Sequence, residues 1–387
     1  MRSWQKIIWR SLSYILVAAL ASAITLALWG GRNTKLKELE QVLNQYFIGE
    51  VDAQIMEDAA AEAMVDSLGD RWSYYIPADE YEDYRENKNN AYVGVGLTVR
   101  EREDGAGLDI LEVTPGNSAQ EAGVLPGDIL IRVDDRSVVG MDTDAVKDLI
   151  RGEKGTKVDI VVLRSGEEKK FTLERRQIKV QVATGTLLPD NIGLVRINNF
   201  NTNCADEAIA AMESLREQGV DKLIFDVRNN PGGYVNEMLE VLDYLLPEGV
   251  LFRDVDYRGY ESKKTSDDAC LEIPMVVLMN ENSYSAAEFF PAVLQEYEWA
   301  TLVGNHTTGK GHYQRSYRLS DGSAVNLSVG KYFTPNGKNL TETGGLTPDV
   351  EVEVDEETAA KIYAQSLPPE EDPQIQAAVE ILQKNPG

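Results

Sequence analysis

From Val180 onward, short apolar runs alternate with longer stretches whose apolar residues recur at helical spacing, and that alternation restricts this part of the chain to a layered α/β core. NIGLVRINNF (residues 191–200) reads as a strand. Ala208, Ile209, Met212 and Leu215 then make one face of a helix that Gly219 ends. KLIFDVR (222–228) is a short apolar strand that runs into Asn229-Asn230-Pro231-Gly232-Gly233. A second helix follows with Val235, Met238, Leu239, Leu242 and Leu246 on one face, and PMVVLMN (274–280) is the next buried strand. The α/β core is expected over residues 179–355. Residues 356–387 read as an acidic, Pro-interrupted tail with one short helix near 375–382.

Ahead of this core, Arg2, Lys6 and Arg10 precede an apolar run over residues 12–29. At about 1.5 Å rise per residue, about 18 residues reach ~27 Å, close to the hydrocarbon thickness of a bilayer. Ala21-Ser22-Ala23 resembles a signal-peptidase site, but residues 24–29 stay apolar beyond it, which favours an uncleaved anchor. The basic flank puts the N-terminus in the cytoplasm. Residues 1–32 are therefore expected to be a cytoplasmic stub and single-pass cell-membrane anchor, with the remainder extracytoplasmic. Residues 33–90 read as largely helical. Leu36, Leu39, Leu43 and Tyr46 share one face, which is either a homodimer seam or, the favoured reading, a face packed on the rest of the ectodomain.

The formal net charge of -26 argues against nucleic-acid binding, which needs a basic footprint. Cys204 and Cys270 are too few for a disulfide scaffold or a zinc site; they read as unpaired, with a single disulfide left open in an oxidising compartment. No His/Cys/Asp/Glu spacing suggests a metal, so no cofactor is expected.

Between residues 92 and 176 the texture changes to short strands with turn signals. YVGVGLTV, LDILEVTPGNSAQEAGVLPGDILIRVDDRSV and TDAVKDLIRGEKGTKVDIVVLRSG follow in an order that resembles a circularly permuted PDZ domain, expected as an insertion over 91–178. By that resemblance Gly94, Val95, Gly96 and Leu97 form the loop whose exposed N–H groups catch a peptide C-terminus, the peptide then adding a strand. Ala119, Gly123, Pro126, Gly127 and Asp128 follow in the order such domains show. Arg151 is a candidate contact between the PDZ ligand and the core; its plainer reading is a solvated arginine at a helix end.

Ser285, taken alone, reads as a helix cap, because Ser285-Ala286-Ala287-Glu288 matches a capping box. Its place between a buried strand and a helix also aims backbone N–H groups outward, as an oxyanion needs. RNNPGG (228–233) supplies a second set of exposed N–H groups. Lys310 and Gln314 follow downstream, and a lysine activates a serine only when neutral. Lowering a lysine from about 10.4 to about 7 takes roughly 4.6 kcal/mol, within what burial can supply.

With FDVRNNPGGYVNEMLEVLDYLL, NENSYSAAE, TTGKGHYQ and the closing YFTPNGKNLTETGGLTPDVEVE in this order, and DRWSYYIPADEY ahead of the PDZ stretch, the chain resembles the C-terminal processing peptidases, the tail-specific serine proteases. The resemblance covers nearly the whole chain. It implies a crotonase/ClpP-like spiral for the α/β core, Ser285 as nucleophile, Lys310 as general base and Gln314 as the residue that orients the lysine. The N–H of Ala286 and one from Gly232 or Gly233 would form the oxyanion hole. Two departures stand out: Ala287 replaces a second serine, and Pro291 falls early in the following helix, where it removes a backbone hydrogen bond.

Two other motifs compete for these residues. A histidine-based triad would have to use His306 or His312. Residues 304–310 fit GxxxxGK, but Gly311 stands where a phosphate-binding loop needs Ser or Thr. The expectation is a membrane-anchored extracytoplasmic serine endopeptidase acting on proteins or peptides with free C-termini, its PDZ domain delivering substrate or gating the site. The alternative is a catalytically silent, membrane-anchored PDZ adaptor.

Overall fold

The computed structural model describes Tyr14, Val17 and residues 34–384. The anchor expected over residues 12–29 lies, those two positions apart, outside the described residues, and among the described residues no helix is long and apolar enough to cross a membrane. The chain divides after Gly69 into two units. In the first, the Asp52 carboxylate accepts the N–H groups of Gln54 and Ile55 and so starts the helix Ala53–Asp66, which follows the helix Thr34–Tyr46. Of the apolar stripe on the earlier helix, Leu36, Leu39 and Tyr46 are exposed and Leu43 is half-buried.

The helical pattern expected up to residue 90 breaks at this boundary. Tyr74, Tyr75 and Ile76 favour extended backbone, and the strand they form pairs antiparallel with Ala324–Phe333 in the second unit. The helix Tyr81–Lys88 follows.

The second unit is built on a six-stranded sheet in the order Ala183–Leu188, Ile192–Ile197, Lys222–Asp226, Met275–Met279, Ala300–Gly304, Val350–Glu351. The first pair is antiparallel and the other four are parallel. Parallel strands covered on both faces read as continuous apolar runs, which explains KLIFD and MVVLM. Leu223, Phe225 and Val277 face the larger core with the helices Cys204–Glu217, Val235–Leu245 and Ala286–Glu296. Ile224, Val276 and Leu278 alternate to the opposite face, against Ile375, Ala378 and Leu382.

Those last three residues lie on the helix Pro373–Lys384, so the acidic C-terminal segment closes the second face of the sheet. It also supplies Asp372, which with Asp226 brackets Arg228 at 2.9 and 2.8 Å, all three side chains 3% exposed or less. A second, antiparallel sheet joins Tyr74–Ile76, Ala324–Phe333, Gly249–Asp256 and Glu261–Ser266, with His312–Arg318 also paired to Ala324–Phe333.

The PDZ domain has its own sheet, in the order Leu97–Glu101, Leu108–Val113, Ile129–Val133, Lys157–Arg164, Glu167–Glu174, closed over a core that includes Leu108, Ile110, Leu130, Val146 and Ile160. It hangs from the α/β core by one antiparallel ladder, Ala91–Gly94 against Arg176–Lys179. In the loop expected to bind carboxylate, Val95 is buried, and Gly96 sits at φ +83° where a Cβ would come within 2.6 Å of Asn117 Cβ. Only glycine fits that turn.

Candidate active site

Ser285 caps the helix Ala286–Glu296 with φ 62° and ψ -122°, a backbone conformation that a residue with a Cβ rarely adopts. Such strain is of order 1–3 kcal/mol and persists only where neighbours over-determine it. Here the neighbour is Glu288, a fully buried carboxylate. Its Oε2 accepts the N–H of Ser285 at 2.9 Å and that of Lys310 at 2.8 Å; its Oε1 accepts the N–H of Gly309 at 2.6 Å and the Thr307 hydroxyl at 2.5 Å. The capping-box glutamate therefore ties the serine's turn to the lysine's loop through one side chain.

The RNNPGG turn lies directly against this elbow. Asn230, fully buried, donates to the Ile197 carbonyl at 2.8 Å and accepts the Gly232 N–H at 2.8 Å. Gly232 has φ +85°, and a Cβ there would meet the Tyr284 carbonyl at 2.7 Å, Ser285 Cβ at 2.8 Å and the Ala286 nitrogen at 3.0 Å. Gly233 makes an isolated parallel bridge with Phe200 through its two neighbours: Phe200 N–H donates to the Gly232 carbonyl at 2.8 Å and Tyr234 N–H to the Phe200 carbonyl at 2.6 Å. Gly232 thus has its N–H engaged, whereas the N–H groups of Gly233 and Ala286 meet no acceptor among the described residues. Of the two glycines, Gly233 is the one whose N–H is left available.

Lys310 shares the cleft with Ser285, Ala286 and both glycines, in a cavity of about 780 Å³. Its Nζ lies 4.4 Å from the centroid of the Trp72 ring and 5.7 Å from that of Tyr284. Burial, helped by the nearby charge of Lys88, pushes its amine down to about 8, against the opposing pull of Asp70 and Glu288. At neutral pH on the order of a tenth of it is unprotonated. The buried Tyr332 hydroxyl donates to the Lys310 carbonyl and fixes the loop from behind.

Gln314 also lines the cleft, but its amide nitrogen donates to the His312 carbonyl at 3.0 Å and to Ser328 Oγ at 3.1 Å, and it makes no bond to the lysine amine. Lys310 precedes the strand His312–Arg318, and a bulge between Tyr313 and Gln314 shifts the register. The two histidines stay outside the cleft: His306 is exposed and His312 Nδ1 faces Thr341 Oγ1 at 3.3 Å. The loop after Gly304 opens a strand, not the helix that a phosphate-binding loop requires. Cys204 is buried, Cys270 exposed, and both are free thiols. Arg151 makes a forked pair with Asp83 at 2.6 and 2.8 Å, which joins the PDZ domain to the helix Tyr81–Lys88 on the cleft wall.

Three residues went unmarked at the level of sequence. Glu288 was visible as a cap but not as a tie to Lys310, since nothing local says that the loop 307–310 returns to it. Trp72 lies within DRWSYYIPADEY, which by itself assigns it no role, and Lys88 comes from a stretch that reads as polar and helical, with no motif to single it out.

The family model described as peptidase family S41 matches residues 191–352, and a PDZ domain model matches residues 110–164. The chain is 32% identical to the carboxy-terminal processing protease CtpA of Bacillus subtilis, over 88% of this chain and 76% of that one. The chain belongs to peptidase family S41. It is likewise 31% identical to the carboxyl-terminal-processing protease of Synechocystis, over 84% of this chain and 76% of its relative. A solved S41 protease structure from Bacteroides fragilis shares the fold at 18% identity and a TM-score of 0.51, covering 84% of this chain and 90% of that one. As an S41 member of the carboxy-terminal processing type, the chain is a serine-type peptidase carrying a PDZ domain.

Proposed function

We propose that this S41 peptidase cleaves protein substrates through a Ser285–Lys310 dyad, as a membrane-anchored, extracytoplasmic endopeptidase that acts on C-terminal segments. The observation that carries the dyad is the single Glu288 carboxylate bonded to the backbones of both residues beside a partly desolvated lysine. Neutral Lys310 takes the Ser285 hydroxyl proton as Oγ bonds the scissile carbonyl carbon, and the carbonyl electron pair moves onto oxygen. The N–H groups of Ala286 and Gly233 receive that oxyanion. The lysine then hands its proton to the departing amine, and water, deprotonated by the same lysine, releases the acyl group from Oγ. Among the described residues no donor meets Gln314 Oε1 while its N–H groups are engaged, which leaves an acceptor suited to the ammonium that forms in this step.

The anchor rests on the basic residues Arg2, Lys6 and Arg10 ahead of the apolar run over 12–29. PDZ control of the site is supported by the Arg151–Asp83 pair, which meets the helix carrying Tyr84 and Lys88 into the cleft. The test is digestion of an unstructured protein by wild type, Ser285→Ala and Lys310→Ala, with fragments read by mass spectrometry. Both variants should be inactive with folding intact. Turnover by either would overturn the dyad, and an inactive wild type would return the chain to the silent PDZ adaptor.

A further inference from the structure

Among the described residues, the charged side chains lining the active-site cleft are all basic, in a chain with 64 acidic residues against 38 basic ones. Arg71, Arg85, Lys88, Lys310 and Arg315 line it, and among the described residues no Asp or Glu does. Most of these cations are otherwise occupied or open to water. Arg85 pairs with Glu82 at 3.0 Å on an exposed surface, and the Arg71 guanidinium lies 4.1 Å from the centre of the Trp72 ring. Lys88 differs from them. Its side chain is largely buried, and among the described residues its Nζ has no hydrogen-bond partner and no carboxylate within ion-pair distance. What it does have are the faces of Tyr84 at 6.0 Å and Tyr234 at 5.9 Å.

A secluded ammonium without an anion is costly, because desolvation is uncompensated. It is more so beside a second lysine. The backbone gives Lys88 little choice of place, since its carbonyl accepts the Thr202 N–H at 3.3 Å and the Thr202 hydroxyl at 3.2 Å. Tyr234, whose ring it approaches, directly follows Gly233 of the turn against Ser285. Lys88 lines the same cleft as Tyr234, Ser285 and Lys310, and its charge is felt at the Lys310 amine.

We propose that Lys88 is a specificity-determining residue whose ammonium receives a carboxylate of the bound peptide, so that the cleft selects substrates carrying an anionic group near the scissile bond. The carboxylate has two sources, an Asp or Glu side chain or the peptide's own C-terminus. This inference rests on the peptidase reading above.

The test uses the full chain, wild type and Lys88→Met, with two pairs of short unstructured peptides. The first pair is C-terminally amidated and differs by Asp against Asn beside the cleaved bond; the second carries no acidic side chain and differs by a free or amidated C-terminus. Wild type should prefer the carboxylate member by about tenfold in kcat/KM, through KM, and Lys88→Met should erase that preference. Both peptides of a pair meet the same Lys310, so any change in the base cancels in the ratio. Loss in the Asp/Asn pair assigns the side chain; loss in the free/amidated pair assigns the terminus. Lys88→Arg should keep the preference, which separates charge from packing. Binding of the same peptides to Ser285→Ala with and without Lys88→Met reads the contact without turnover, so a failed dyad and a failed subsite are told apart. An unchanged ratio in both pairs would overturn the proposal. So would equal loss of activity on every peptide, since that assigns Lys88 to proton transfer or folding.

Discussion

Burial and the charge of Lys88 hold the Lys310 amine down at about 8, and the proposed dyad uses only its neutral form. The rate of peptide hydrolysis should therefore rise about tenfold per pH unit below about 8 and level off above it. A pH profile of kcat/KM measures this directly, and a flat profile between pH 6 and 9 would exclude lysine as the base. Since the Lys88 charge helps to depress Lys310, Lys88→Met should move that limb to higher pH. Glu288→Ala leaves the N–H groups of Ser285, Gly309 and Lys310 without their shared acceptor. The variant should lose roughly 1–3 kcal/mol per buried group left unpaired, seen as a lowered urea midpoint, together with its activity.

At the scale of elements, the helix Pro373–Lys384 and the strand Lys222–Asp226 are clamped by Arg228 between Asp226 and Asp372. Asp372→Ala leaves Arg228 with Asp226 alone as its carboxylate and takes the acceptor from the N–H groups of Gln374 and Ile375, so it should destabilise the fold by about 1–3 kcal/mol per buried group left unpaired in equilibrium unfolding. Burial alone would raise the Asp226 carboxyl, but Arg228 prevails and holds it below the usual range. The stability it contributes is present above its unfolded value of about 4 and is lost as pH falls through the lower folded value. The buried strands and the helices between them were legible because their apolar runs are long and their periods distinct. The terminal helix was less so: Ile375, Ala378 and Leu382 are sparse among acidic and proline residues, and only the sheet's second face explains why they are buried. The bulge at Tyr313/Gln314 has no local signature, so the separation of Gln314 from the lysine amine could not be read in advance.

Across the whole molecule, the PDZ domain meets the helix on the cleft wall through Arg151 and Asp83, both substantially exposed. An exposed pair is worth about 0.2–1 kcal/mol, so coupling through it should change activity by no more than about fivefold. A C-terminal peptide that is not itself cut should shift hydrolysis of a second substrate in wild type. Arg151→Met should diminish the shift, and Asp83→Arg combined with Arg151→Asp should restore it; identical responses in all three would leave the PDZ domain as a tether. The order of PDZ motifs was readable, whereas the partner of Arg151 was not, because Asp83 belongs to an unremarkable acidic helix far away in sequence. The ladder of Ala91–Gly94 with Arg176–Lys179 has an evolutionary consequence. The chain leaves the peptidase and returns to it on adjacent strands roughly 5 Å apart, a gap that a two-residue turn can close. The module is thus a cassette: recombination could delete it, or exchange it for one that reads different tails, while the peptidase beneath keeps its own termini and reading frame.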